Sequence, residues 1–249
     1  MSKTKEQKNE PNQPAATTPA STESTESSKV AVYLEDPELL AENATAVFEK
    51  NKNLLTYIAA GLVAVVGGYF FYLNYQSEKE KEAQANLYPA IYAYESDSLS
   101  KALNGGANLG LLSIADDYSG TDAGELAAVY AGAALLKEKK FDEAITYLKK
   151  YSAKDAILQA RVYSLIGDAY MEQNNYTEAV SAYKQAAEYK KNKEFTPVYL
   201  LKLGIAQEKA GLLNDAFASY TEIIDSYPFS AEVNNAKKYR GIVSASLGN

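Results

Sequence analysis

The chain of 249 residues contains no cysteine, no histidine and no tryptophan. Without imidazole or thiolate there is no Ser-His or Cys-His nucleophile pair and no His or Cys zinc site. Any enzyme here would rely on carboxylate, lysine or tyrosine chemistry. Lack of cysteine suits an oxidising or a reducing compartment equally and decides between neither. A cationic excess is missing too, with 25 Lys and Arg against 32 Asp and Glu and a formal charge of −7. Nucleic-acid binding needs a basic stripe to displace counterions, so no nucleic-acid partner is expected. What is plentiful is tyrosine, with 21 copies.

Composition changes twice along the chain. Residues 1–53 read as a tail: polar to about residue 29, with too few apolar groups to offset chain entropy, and so disordered. A short amphipathic segment follows, starting at Asp36 and Pro37 and carrying Leu39, Leu40, Ala44, Val47 and Phe48 at helical spacing. Leu54 to Leu73 then run for twenty residues without a charge. At 1.5 Å per residue such a helix covers roughly 30 Å, the thickness of a bilayer core. Flanking Lys50, Lys52 and Lys79, with tyrosines and phenylalanines gathered at 69–75, suit interfacial anchoring. About fifty residues precede the run and no small-residue cleavage site follows, so the expectation is an uncleaved anchor with the amino terminus inside. Thr56, Ala60, Ala64 and Gly68 fall four apart, a stripe on which another membrane helix could pack.

Residues 74–122 read as a helical linker with repeat-preceding helices, interrupted near Pro89, turning at Asn104 to Gly106, and forming a short helix from Leu109 to Tyr118. Residues 123–249 carry an internal repeat. Segments starting at Tyr130, Ile166 and Leu203 align Gly132, Gly167 and Gly204, then Phe141, Tyr176 and Leu213. Ala144, Ala179 and Ala216 coincide as well, followed by Leu148, Tyr183 and Tyr220. Each unit reads as two antiparallel helices that stack on the next, because one hairpin cannot bury both its faces. Asp122 with Glu125, and Asn175 with Glu178, are disposed as capping boxes, and Pro228 after Tyr227 marks a stop. Residues 231–247 form a terminal capping helix.

The second unit, with Tyr163, Ile166, Gly167, Tyr170, Ala179, Tyr183 and Ala186, resembles the tetratricopeptide repeat. The third keeps Leu203, Gly204, Ala216, Tyr220 and Pro228, and the first keeps Gly132, Ala144 and Leu148. With the apolar run read as a transmembrane helix, the expected fold is all-α, that helix followed by a superhelix that the resemblance implies is tetratricopeptide-type, its first helices lining a concave protein-binding face. Transferred by register, that face comprises Leu126, Val129, Ala133, Leu136, Arg161, Ser164, Asp168, Met171, Val198, Leu201, Ile205 and Glu208. Members that clamp an acidic chaperone terminus use Lys and Asn there, a set missing here, which excludes that function. The apolar groove could hold an amphipathic helix or unfolded segment, or be filled by the chain's own helix from 84 to 95.

The whole layout resembles the YfgM-like membrane proteins, ancillary subunits of the SecYEG translocon in Gram-negative inner membranes with a periplasmic repeat domain. That resemblance implies a non-enzymatic scaffold whose partners are Sec translocon subunits, a periplasmic isomerase chaperone and exported clients. The alternative is a structural adaptor in cell-envelope assembly or division. Paired carboxylates at Asp116/Asp117, Asp142/Glu143 and Glu222/Asp225 read as solvated helix ends rather than an acid-base site, and no cofactor or metal is expected.

Overall fold

The computed structural model describes residues 37–152 and 155–248, except the side chains of residues 37–41, 43, 44 and 47. The expected disordered tail, the Asp36 helix start and the amphipathic pattern of Leu39, Leu40, Ala44 and Val47 lie outside what is described. Ten helices are present among the described residues. The chain divides into two compact units, Met1–Phe70 and Phe71–Asn249, the boundary falling within helix α1 (Pro37–Glu95).

In the first unit the apolar run is helical and its large side chains are exposed: Tyr57 by 75%, Val63 by 72% and Phe70 by 65%. No part of the most apolar stretch of this helix is buried within the protein. A helix this apolar with nothing covering it is compatible with a single-pass membrane anchor.

The second unit is a row of helical hairpins. After α1 come α2 (Leu99–Asn104), α3 (Leu111–Asp117), α4 (Asp122–Lys137), α5 (Phe141–Leu148), α6 (Ala156–Glu172) and α7 (Tyr176–Glu188). α8 (Thr196–Lys209), α9 (Leu213–Ser226) and α10 (Val233–Ser246) complete the order. From α3 onward each helix packs mainly on its neighbours in sequence, so the core is a chain of linked clusters instead of one centre.

Two devices repeat in register. The first is close approach. A Cβ placed on Gly132 would stand 2.5 Å from Leu148 Cγ, and one on Gly167 2.6 Å from the Tyr183 ring, while one on Gly204 would overlap the Tyr220 ring. Glycine at the crossing therefore lets the second helix lay a bulky side chain directly on the first. The second device is the turn. Seven residues after each glycine, Lys139, Asn174 and Gly211 adopt φ of 62°, 60° and 76°. The next residue donates its N–H back to the first helix, Lys140 to the Leu135 carbonyl, Asn175 to Tyr170 and Leu212 to Gln207. Each is a Schellman stop that satisfies otherwise orphaned carbonyls.

The same turn occurs once more, upstream of the expected repeats. Asp97 has φ 55° and Ser98 donates to the Ala93 carbonyl. Counting back seven places Ala90 in the glycine position, and counting on places Ala102, fully buried, with Ala144, Ala179 and Ala216. The end of α1 and the short α2 are thus a truncated hairpin of the same kind. Contrary to expectation α1 is not interrupted at Pro89. Ala83 and Leu87 before the proline and Ala90 and Ala93 after it enter one buried cluster with Leu103 and Leu111, which offsets the lost backbone bond, a cost of about 3 kcal/mol.

The caps also differ from expectation. The N-cap of α4 is Thr121, whose Oγ1 accepts from the Gly124 N–H at 3.0 Å. Glu125, one place too far along to close a capping box, instead accepts from the Ser152 hydroxyl. Asn175 stands at the N-cap of α7 without a side-chain cap bond. Asp155, unforeseen, caps α6 by accepting from the Leu158 N–H at 2.8 Å. At the other end α9 stops at Ser226, ahead of Pro228 as expected.

Candidate functional site

The first helices of the first two complete units, α4 and α6, leave a groove of about 500 Å3 between them. Its apolar wall is Ala133, Leu136, Phe141 and Leu165, and Tyr94 from α1 closes one side. Tyr94 is fixed there by an edge-on contact with Tyr130 at 5.4 Å and by the Lys137 ammonium 4.8 Å above its ring. Lys137 also pairs with Asp97 at 3.0 Å. The last turn of α1 thus forms a wall of the groove and does not fill it.

Charge is asymmetric within the groove. Asp168 is neutralised: Lys202 Nζ donates to both its oxygens at 2.8 Å, and the Tyr183 hydroxyl donates to Oδ1 at 2.6 Å. Lys202 also donates to the Ser164 hydroxyl at 3.2 Å. This network ties α6, α7 and α8 together. Burial, and then the charge of Asp168, pushes the Tyr183 hydroxyl far above its ordinary value, so it stays a hydrogen-bond donor. Arg161, Lys139 and Glu172 are exposed in the lining with no ion pair among the described residues, so the groove presents two cations and one carboxylate.

Of the positions transferred by register, Ala133, Leu136, Arg161 and Asp168 come together in this groove. Leu126 and Met171 are half-buried outside its lining, and Val129 and Ser164 are buried. Leu201, Ile205 and Glu208 are half-buried, Glu208 accepting the hydroxyl of Tyr220. Burial, followed by Glu208, likewise raises the Tyr220 hydroxyl. Val198 lines a separate cleft of about 800 Å3 with Phe195 and the fully exposed Phe229. Sequence reasoning did not single out Tyr94, Leu165 or Lys202. The register itself could have found Tyr94, which stands in the hidden first hairpin where Leu136 stands in the next.

One member of each carboxylate pair has an ordinary partner, Asp142 accepting from the Gln173 amide at 2.8 Å and the other two joining ion pairs. Asp116 meets Lys150 and the Tyr147 hydroxyl, and Glu222 meets Lys191 at 2.7 Å. Among the described residues no cluster of carboxylates is arranged to hold a metal ion. In the first unit Thr56, Ala60, Ala64 and Gly68 are all exposed, and Thr56 Oγ1 donates to the Lys52 carbonyl at 2.7 Å.

No curated protein matches the chain. Residues 164–231, from α6 through the turn after α9, match the tetratricopeptide repeat family, generally a non-catalytic protein-interaction fold. The matched residues cover most of two successive hairpins, α6–α7 and α8–α9.

Proposed function

We propose that this protein is a membrane-anchored docking scaffold: α1 holds it in the bacterial inner membrane, amino terminus in the cytoplasm, and its repeats bind exported proteins in the periplasm. In this reading the partners are subunits of the Sec translocon, a periplasmic isomerase chaperone and their clients. The observation that carries it is the groove between α4 and α6, an open apolar trough that also presents the Arg161 guanidinium, on a fold that generally binds proteins. Tethering such a surface beside an exit pore raises the local concentration of a weak site, so no single contact has to be strong. The mixed lining suits chain segments that bring an apolar side chain to Leu136 and Leu165 and an acidic one to Arg161.

Photocrosslinking in intact membranes tests this. Probes at Leu136 and Arg161 are expected to capture translocon or chaperone subunits, whereas a probe at Lys184, exposed on α7, is not. Capture of division or envelope-assembly proteins by the groove probes would favour a structural adaptor instead. Digestion of the repeats by protease only after spheroplast lysis would reverse the topology.

A further inference from the structure

We infer that the cleft between the start of α8 and the loop from α9 to α10 is a second docking site, and that its occupant is a protein segment carrying arginine or lysine beside an apolar side chain. The site is distinct from the α4–α6 groove and depends neither on that groove nor on the anchor.

Two tight turns line the cleft. On one side Asn192 Oδ1 accepts the Glu194 and Phe195 N–H groups at 3.1 and 2.7 Å, and Thr196 Oγ1 accepts the Asn192 N–H at 2.9 Å. With Pro197 in the first turn of α8, these bonds fix the chain so that Phe195 stays at the surface. On the other side α9 ends at Ser226, and the Ser230 N–H donates to the Tyr227 carbonyl at 3.0 Å. That bond closes a four-residue turn with Pro228 and Phe229 at its tip. Phe229 is 100% exposed and Phe195 37%.

Outside α1 these two are the only exposed aromatic rings among the described residues, and both line one space of about 800 Å3. Apolar side chains exposed singly are ordinary. Two phenylalanines that share one cleft with Val198, Pro228 and Ala231 form a continuous apolar patch, which marks a place of contact.

Charge identifies the occupant. Glu194, Asp225 and Glu232 line the same cleft without an ion pair among the described residues, and Lys193 is the single cation in the lining. Neighbouring Lys191 does not relieve them, because it is held by Glu222 at 2.7 Å. The α4–α6 groove has the reverse balance, with Arg161 and Lys139 unpaired against Glu172. A cation entering the cleft meets unpaired carboxylates and the faces of two phenyl rings, and both attract it. A guanidinium can serve both contacts together, being planar and weakly hydrated. An acidic segment, an anionic lipid headgroup or a nucleic acid would meet an excess of like charge.

Short random peptides displayed on phage and selected on full-length protein in detergent test this, since the selection leaves the order of residues free. Peptides are expected that carry arginine or lysine next to an apolar residue and that lose about tenfold in affinity with Phe229→Ser, and again with Asp225→Lys/Glu232→Lys. The same peptides should stay within about twofold with Arg161→Glu, which lies in the other groove. Because the Phe229 ring is wholly exposed, Phe229→Ser should leave helix content and melting unchanged, so that its loss of binding reports the contact. Absence of any enriched peptide, Phe229-dependent peptides that are acidic or uncharged, or a Phe229-dependent dimer of the chain would each overturn the inference. Peptides lost only with Arg161→Glu would overturn the cleft and leave the groove standing. Basic peptides lost only with the cleft variants would support the cleft and count against the groove.

Discussion

The middle of the repeat array and its ends use the same register for opposite purposes. Gly167 and Gly204 are crowded by tyrosine rings, while Gly241, 37 residues beyond Gly204, faces open space. Ala134, Ala169 and Ala206 are fully buried, while their counterpart Tyr92 is mostly exposed. In a linear stack the environment of a position is set by whether a neighbouring hairpin exists on that side. A repeated residue therefore has no fixed energetic meaning. Its sign depends on its place in the row.

Substitutions at matched positions can break that comparison. The largest expected effect is at Gly204, where Gly204→Val drives methyl groups into the fully buried Tyr220 ring and should destabilise the array by about 3 kcal/mol. Urea denaturation of full-length protein in detergent measures it. A loss below about 1 kcal/mol would mean that α9 can shift away, and that the glycine is not the determinant of the crossing.

A smaller effect separates the second unit from the first, where the matching side chain is Leu148 and has no hydroxyl. Tyr183→Phe removes the bond to Asp168 and should cost about 1–2 kcal/mol at neutral pH, with Lys202 still holding the carboxylate. The Tyr183 hydroxyl is raised in the folded protein, so above an unfolded tyrosine value of about 10 the unfolded chain loses protons that the folded one keeps. Stability is full below that pH and falls as pH rises beyond it. The wild type should thus lose stability on going to alkaline pH more steeply than Tyr183→Phe, as melts at successive pH values would show. Identical slopes would sever the link between the ring and the network.

The smallest effect should carry the opposite sign. Gly241→Ala adds a methyl group to an open helix position and should stabilise by about 0.5–1 kcal/mol, because glycine is the weaker helix former. The change is best read by thermal melting beside Gly167→Ala, which places a Cβ against the Tyr183 ring and is destabilising. If both alanines stabilise, the contrast between middle and end fails.

Much of this was legible in the residues. The glycines at 132, 167 and 204, the alanines twelve further on and the bulky residues after them mark the hairpins, because close helix crossings demand small against large. The helical fold class and the spacing of the hairpins follow from that pattern. The hidden hairpin at Ala90 to Asn104 was not legible. It has Ala for Gly and its second helix stops before the bulky position, so only the turn geometry at Asp97 betrays it. Pro89 misled for a related reason. Local chemistry argues for a break there, and burial on both sides of the proline overrides it. The groove was half visible, since Ala133, Leu136, Arg161 and Asp168 follow from register, whereas Lys202, which neutralises Asp168, comes from the next hairpin and Tyr94 from the hidden one before it.

By itself the sequence determined the helical class, the apolar stretch at 54–73, the repeat period and the lack of thiol and imidazole chemistry, because these depend on composition and on spacing along one helix. Only the tertiary structure decided which first-helix positions open into a groove and which vanish into the core. It also decided that Asp168 is neutralised while Arg161 stays exposed in the groove, and that one end of the array is left unsheltered. Those outcomes depend on what the adjoining hairpin brings across the gap, and pairing between residues more than thirty positions apart leaves no mark in local pattern.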